Sequence, residues 1–274
     1  MSNETIIEKY FRDNRGRIQR RLVAWGYTCC RNMKVIRILH TTYGVVVFTV
    51  LFIILLPFFC IPICFPSQHH LIGILNRWWA RLMFLLIFIP VKVTYRGKLD
   101  RRKQYIFCAN HFSYLDIPTI GLNRHNAIFV GKSDIGWIPL FGYMYRKLHI
   151  TVDRSSLKSR FNTVKRSLAA IDEGKSLIIF PEGGIITERD PVMGRFKDGA
   201  FRVGIEKQID VVPVTILYNW IILPADEFLL RWHPLEVIFH EPVPTAGLTL
   251  DDLESLKRRV FDTIEQELNK HLKK

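Results

Sequence analysis

From Tyr43 to Pro66 the chain carries no charged residue, and a run this apolar must be buried in protein or in lipid. By length alone it could form a spanning helix, which needs about 20 residues. Its prolines argue otherwise. Gly44 to Leu56 reads as an apolar helix, whereas Pro57, Pro62 and Pro66 are expected to break up the second half. Proline deletes a helix hydrogen bond and crowds the carbonyl four residues back. The unbroken part would rise only about 20 Å, short of a hydrocarbon core of roughly 30 Å. A second apolar stretch, Trp78 to Pro90, is interrupted by Arg81 and is also too short to span. The pair is expected to form an apolar helical hairpin dipping into one leaflet, with Trp78 and Trp79 at the interface.

Charge supports a membrane surface. The formal net charge is +14 over 274 residues, which points to a polyanionic partner. Arg12, Arg15, Arg17, Arg20, Arg21 and Lys34 precede the apolar run, and Lys92, Arg96, Arg101 and Lys103 follow it. With basic residues on both flanks, both ends are expected on the cytosolic side. That places the protein on the cytoplasmic face of the inner membrane. Nucleic acid is not expected as a partner, because no zinc-finger, RNP or helix-turn-helix signature is present. The five cysteines, an odd number, fit neither a disulfide framework nor a zinc site, so reduced thiols and no metal are expected.

After Pro90 the texture changes to short apolar runs separated by helix-like segments, the signature of an α/β domain. Strands are expected at 91–95, 105–109, 127–130, 148–152, 177–180, 211–217 and 235–239. Helices are expected at 156–173, with Phe161, Val164, Leu168 and Ile171 on its buried face, and at 194–207 and 250–272. The chain thus divides into a basic arm at 1–40, the apolar hairpin at 41–90 and an α/β domain at 91–274.

Chemistry-bearing residues fall at strand ends, where open α/β sheets bind ligands. Asn110-His111-Phe112-Ser113-Tyr114-Leu115-Asp116 follows the second strand. Residues five apart on a helix diverge by about 140°, so His111 and Asp116 can meet only with His111 in the loop and Asp116 on the following first turn. Asp116 could then orient the imidazole and leave its other nitrogen as a general base; equally, Asp116 could be a helix N-cap beside a loop histidine. Thr151-Val152-Asp153-Arg154 ends another strand, and Arg154 could bind phosphate or carboxylate, or pair with Asp153. Phe180-Pro181-Glu182-Gly183-Gly184 makes a tight turn whose backbone N–H groups could face a ligand. Val212-Pro213-Val214 carries an internal proline, which normally restricts a strand to an edge or a bulge.

In this order, the His-x4-Asp element at His111 and Asp116, the Asp-Arg strand end, Phe-Pro-Glu-Gly and Val-Pro-Val resemble the four blocks of the glycerolipid acyltransferases. The bacterial 1-acyl-glycerol-3-phosphate acyltransferase type is the nearest in pattern. The resemblance covers roughly residues 91–240 and suits an N-terminal membrane hairpin. It implies a mixed β-sheet flanked by helices, and transfer of an acyl group from acyl-CoA or acyl carrier protein to a lysolipid hydroxyl. It makes His111 the general base, with Asp116 its partner and Arg154 on the acceptor head group. Glu182 and Gly183 would shape the acceptor site and Pro213 would support the pocket. No cofactor beyond the acyl thioester is implied. No serine or cysteine lies in a nucleophile-elbow pattern, so direct attack is expected rather than an acyl-enzyme.

One position departs from the pattern. The family's third block continues with Thr or Ser and then Arg, where this chain has Gly184 and Ile185. Losing a charge-assisted contact typically costs about 1.5–3 kcal/mol. Either Arg154, Lys197, Arg195 or Arg189 compensates, Lys197 being the best stand-in, or the acceptor is a different lysolipid, such as a lyso amino-acid lipid. A membrane-bound lipid-binding protein with an idle site is the alternative from another class, against which stand the intact His111 and Asp116.

Overall fold

The computed structural model describes residues 6–132, 139–152, 157–185 and 191–272. The chain opens with helix α1 (Ile6–Cys64), and a 3-10 turn at Pro66–Gln68 leads into α2 (His70–Leu86). Then come β1 (Val91–Tyr95), β2 (Ile106–Ala109), α3 (Asp116–Ile120), β3 (Ala127–Lys132), α4 (Phe141–Leu148), β4 (Ile150–Val152), α5 (Leu157–Asp172) and β5 (Ser176–Ile179). The domain closes with α6 (Gly199–Lys207), β6 (Val211–Leu217), α7 (Asn219–Ile222), β7 (Leu235–Phe239) and α8 (Leu253–Leu272). Among the described residues, seven strands form one sheet in the order β1-β7-β6-β2-β5-β3-β4. All neighbours are parallel except β6 and β7, which are antiparallel. The sheet is therefore mixed, with every expected strand in place.

Alternation sorts the strand residues onto two faces. Phe107, Ala109, Val212, Val214 and Ile216 pack on one face with Ile120 of α3. Ile106, Cys108 and Val211 face the other way, towards Leu256, Val260, Ile264 and Leu268, the apolar stripe of α8. Pro213 lies in an interior strand, opposite Cys108 of β2. It is tolerated because the β6–β7 ladder slips by one residue there, from the Val214↔Phe239 pair to the Val211↔Val243 bridge. Its carbonyl still accepts from the His240 N–H at 3.0 Å. Two helical expectations need correction. Phe161 is 71% exposed, because it sits at the margin of the α5 stripe. Helix α6 starts at Gly199 rather than 194, because Lys197 N–H is spent on the Pro181 carbonyl at 2.9 Å.

The apolar hairpin forms, but its first leg is longer than expected. Pro57 and Pro62 lie inside α1, which continues unbroken to Cys64. A mid-helix proline costs about 3 kcal/mol, and here packing offsets it: Phe59, between the two prolines, is fully buried and meets the Trp79 ring edge-on at 6.2 Å. The expected boundary at 40/41 falls inside this same helix. Trp78 is 54% exposed, as an interfacial residue would be. Trp79 is not at the interface. Neighbours on a helix point about 100° apart, and Trp79 turns inward among Phe48, Phe52 and Phe141 at 4.8–5.9 Å.

Helix α1 also grips the loop between β6 and β7. Arg37 donates to the Leu229 carbonyl at 3.0 Å and pairs with Glu227 at 2.7 Å. Thr41 accepts from the Leu230 N–H at 2.8 Å, and Trp232 donates to the Phe88 carbonyl at 2.7 Å. Hydrogen bonds from Arg37 and Arg231 hold the Glu227 carboxyl down at about 2.

Candidate active site

The site is built at the ends of β2, β5 and β6. As β2 ends, Asn110 bridges to β6: its amide donates to the Ile216 carbonyl at 3.0 Å and accepts from the Ile216 N–H at 2.8 Å. That clamp fixes where the chain leaves the sheet, so the next residue, His111, projects from a rigid rim. Asp116 opens α3, so the loop-then-first-turn geometry that lets the two side chains meet is present. His111 Nδ1 lies 3.0 Å from Asp116 Oδ2. The same oxygen accepts from the backbone N–H groups of Phe112 at 2.7 Å and Ser113 at 2.8 Å.

Asp116 is 0% exposed, and a buried carboxylate needs such donors. An ionised carboxylate can only accept, so His111 Nδ1 carries the proton and Nε2 holds the lone pair. Nε2 has no hydrogen-bond partner among the described residues. Asp116 therefore orients the imidazole and is not the helix N-cap: that position is Leu115, without a side-chain cap, and the other donors to the Asp116 carboxylate lie in the loop before the helix. The ring stacks on Phe180 at 4.1 Å and 19°, which fixes its plane.

Glu182 comes to the same place from the end of β5, in a bracing position. Its Oε1 accepts from the His111 N–H at 2.8 Å and its Oε2 from the Gly194 N–H at 2.7 Å. Gly183 has φ +80°, and a Cβ there would come within 2.8 Å of Lys197 Cε, so the glycine makes room for the lysine to lie across the turn. The Gly183 N–H, which by sequence could face a ligand, is instead spent within the turn on the Phe180 carbonyl at 3.0 Å. Gly184 and Ile185 follow, half-buried. Lys197, best placed by sequence to replace the missing arginine, is therefore the cation brought to this turn. Arg154 and Arg189 lie outside the described residues, and Pro213 is buried within the sheet, below the rim.

Two further features lie nearby. Cys108, three residues before His111, is 0% exposed, and burial pushes its thiol far above the usual range, so it is no nucleophile. Beside α3, a cavity of about 60 Å³ lies among Phe48, Trp79, Met83, Ile117, Phe129 and Phe141. Its lining is largely apolar.

Comparison with known proteins agrees with this geometry. A family model described as Acyltransferase matches residues 90–217. A 1-acyl-sn-glycerol-3-phosphate acyltransferase of Haemophilus influenzae is 30% identical over 206 residues, covering 72% of this chain and 81% of that protein. The chain belongs to the glycerolipid acyltransferase family. A protein of the same description from Limnanthes douglasii is 28% identical over 196 residues, 70% of this chain and 66% of its own length. A chloroplastic one from Brassica napus is 30% identical over 140 residues, 40% of its own length. The chain thus spans two thirds or less of those plant relatives. The family fold is seen in the crystal structure of the 1-acyl-sn-glycerophosphate acyltransferase PlsC from Thermotoga maritima. Its TM-score is 0.75, at 20% identity, over 88% of this chain and 98% of that one.

Three residues of the site were not read from sequence. Asn110 and Asn219 are lone asparagines with no spacing signal, and their roles depend on which strands become neighbours. Phe180 was visible as part of Phe-Pro-Glu-Gly, but nothing in the sequence shows that it stacks on His111.

Proposed function

We propose that this chain is a membrane-surface O-acyltransferase. It moves a fatty acyl group from an acyl thioester, on coenzyme A or acyl carrier protein, to the free hydroxyl of 1-acyl-glycerol-3-phosphate, giving phosphatidic acid. The observation that carries the reading is the His111–Asp116 pair, with Nδ1–H given to a buried carboxylate and Nε2 open at a strand end. Nε2 takes the proton of the acceptor hydroxyl as its oxygen attacks the thioester carbonyl. The tetrahedral intermediate collapses, the carbon–sulfur bond breaks, and the leaving thiolate receives the proton from the imidazolium. Lys197, across the turn beyond Phe180, supplies positive charge for the developing oxyanion or the acceptor phosphate, and Arg154 shares the head group by the family pattern. The names of the relatives support the acceptor.

In this reading the hairpin lies in one leaflet of the inner membrane and the catalytic domain faces the cytosol. Residues 33–64 of α1 are long and apolar enough to cross a membrane, with 22% of an apolar 18-residue window within them buried, and would rise about 48 Å. Length therefore no longer argues against a span. Side contacts do: Arg37 grips Leu229 and Phe52 meets Phe141 at 5.3 Å. A sheet domain laid along some 22 Å of helix suits a helix lying along the membrane. Ile185, where the family has arginine, favours a second reading in which the acceptor is another lysolipid, such as a lyso amino-acid lipid. Labelled acyl-CoA and a lysolipid panel separate the two. His111→Ala is expected to lower kcat by about 10²–10⁴-fold with vesicle binding intact; unchanged turnover would sink the catalytic reading.

A further inference from the structure

Strand β6 ends at Leu217, and Tyr218 then takes a left-handed backbone, φ +70° and ψ −4°, which a bulky side chain adopts rarely. That kink swings Asn219 into the space beside α3, where it is 0% exposed. Its amide nitrogen donates to Asp116 Oδ1 at 2.9 Å and to Thr119 Oγ1 at 2.9 Å. The partners fix the amide's orientation. Asp116 can only accept, and Thr119 has given its own proton to the Leu115 carbonyl at 2.6 Å. The opposite end of the amide, Oδ1, is buried and has no partner among the described residues. Leaving a buried carbonyl unsatisfied is unusual; here both amide hydrogens are committed to α3.

We propose that Asn219 is a positioning residue of acyl transfer, pinning the Asp116 carboxylate so that its other oxygen stays under His111 Nδ1 and Nε2 stays free as the base. The proposal rests on the reading of His111 as that base. Asp116 Oδ2 serves three donors, whereas among the described residues Oδ1 is held by Asn219 alone. Without it Oδ1 is a buried carboxylate oxygen with no donor among the described residues, which favours a shift of the carboxyl group out of the position in which Oδ2 holds His111 Nδ1. The titratable groups around the cluster are His111, Asp116, Glu182 behind the His111 N–H, and Lys197 over Gly183. Next along the chain, Tyr218 faces His233 and His271.

The test compares wild type, N219L, N219D and H111A as full-length proteins on vesicles, measuring kcat, KM and the pH dependence of kcat. N219L keeps the heavy-atom count and branching and loses the donor. Its kcat is expected to fall about 10- to 100-fold, the usual scale for a residue that orients another, with KM little changed. In N219D two carboxyl groups meet at hydrogen-bond distance and cannot both ionise, so they share a proton. While that proton is present it restores the contact to Asp116 Oδ1. As pH rises it is lost and the two groups repel, so N219D gains a high-pH limb of falling kcat that wild type lacks. A residue that only fills space would not create that limb, and N219D, being isosteric, carries the test should N219L fail to fold. Wild-type kcat in N219L, or a wild-type pH profile in N219D, with H111A inactive, would overturn the proposal alone. Full activity in H111A would overturn the base reading and this proposal with it.

Discussion

The His111 N–H donates to Glu182 Oε1 at 2.8 Å while Glu182 Oε2 holds the Gly194 N–H at 2.7 Å. One buried carboxylate thereby joins the loop carrying His111 to the segment carrying Lys197. Glu182→Ala strands both N–H groups, and hydrogen bonds to a charged group contribute about 1.5–3 kcal/mol each. A loss of roughly 3–6 kcal/mol in urea unfolding is expected, together with a fall in kcat. Glu182→Gln turns one acceptor into a donor facing an N–H, and should lose stability too. Wild-type stability in both variants would show that the brace contributes nothing.

His149 is buried, and its Nδ1 accepts from the Phe129 N–H at 3.2 Å. Burial lowers it from its ordinary 6.5 to about 3. The folded state refuses a proton that the unfolded chain takes up below about 6.5. The contribution to stability is therefore full above about pH 6.5 and is lost as pH falls towards 3. His240, lowered to about 4 chiefly by burial and then by Arg96, adds to the same slope. Urea midpoints at several pH values should drop through this window, and His149→Asn, which keeps an acceptor for Phe129, should flatten the drop. An unchanged slope in that variant would count against the assignment.

Cys60 and Cys64 are exposed near the end of α1, and Cys108 is buried. In a Cys29→Ser/Cys30→Ser background, a membrane-impermeant maleimide should label Cys60 and Cys64 in the absence of lipid and leave Cys108 untouched. Saturating anionic vesicles should suppress that labelling. Full labelling of vesicle-bound protein would rule out a hairpin seated in the leaflet.

The strands were legible because each is a short apolar run set off by polar turns, as at Val211–Leu217, and a parallel sheet buries both faces of such runs. The base pair was legible because His111 and Asp116 are five residues apart within one loop and turn. What could not be read depends on tertiary partners. The persistence of α1 through Pro57 needs Phe59 against Trp79, and Asn219 reaches Asp116 across 103 residues. The inward turn of Trp79 was hidden because two adjacent tryptophans look alike until one meets Phe141.

Glu182 is committed to backbone amides, and so is most of what holds His111 in place. Gly184 and Ile185, by contrast, follow half-buried after the turn, and Lys197 is tied to it through its backbone N–H on the Pro181 carbonyl at 2.9 Å, with its side chain across Gly183. On the proposed reading these positions meet the lipid head group, so exchanging them would alter which acceptor is taken while His111, Asp116 and Glu182 keep their places: the acceptor can change hands without the reaction having to be reinvented.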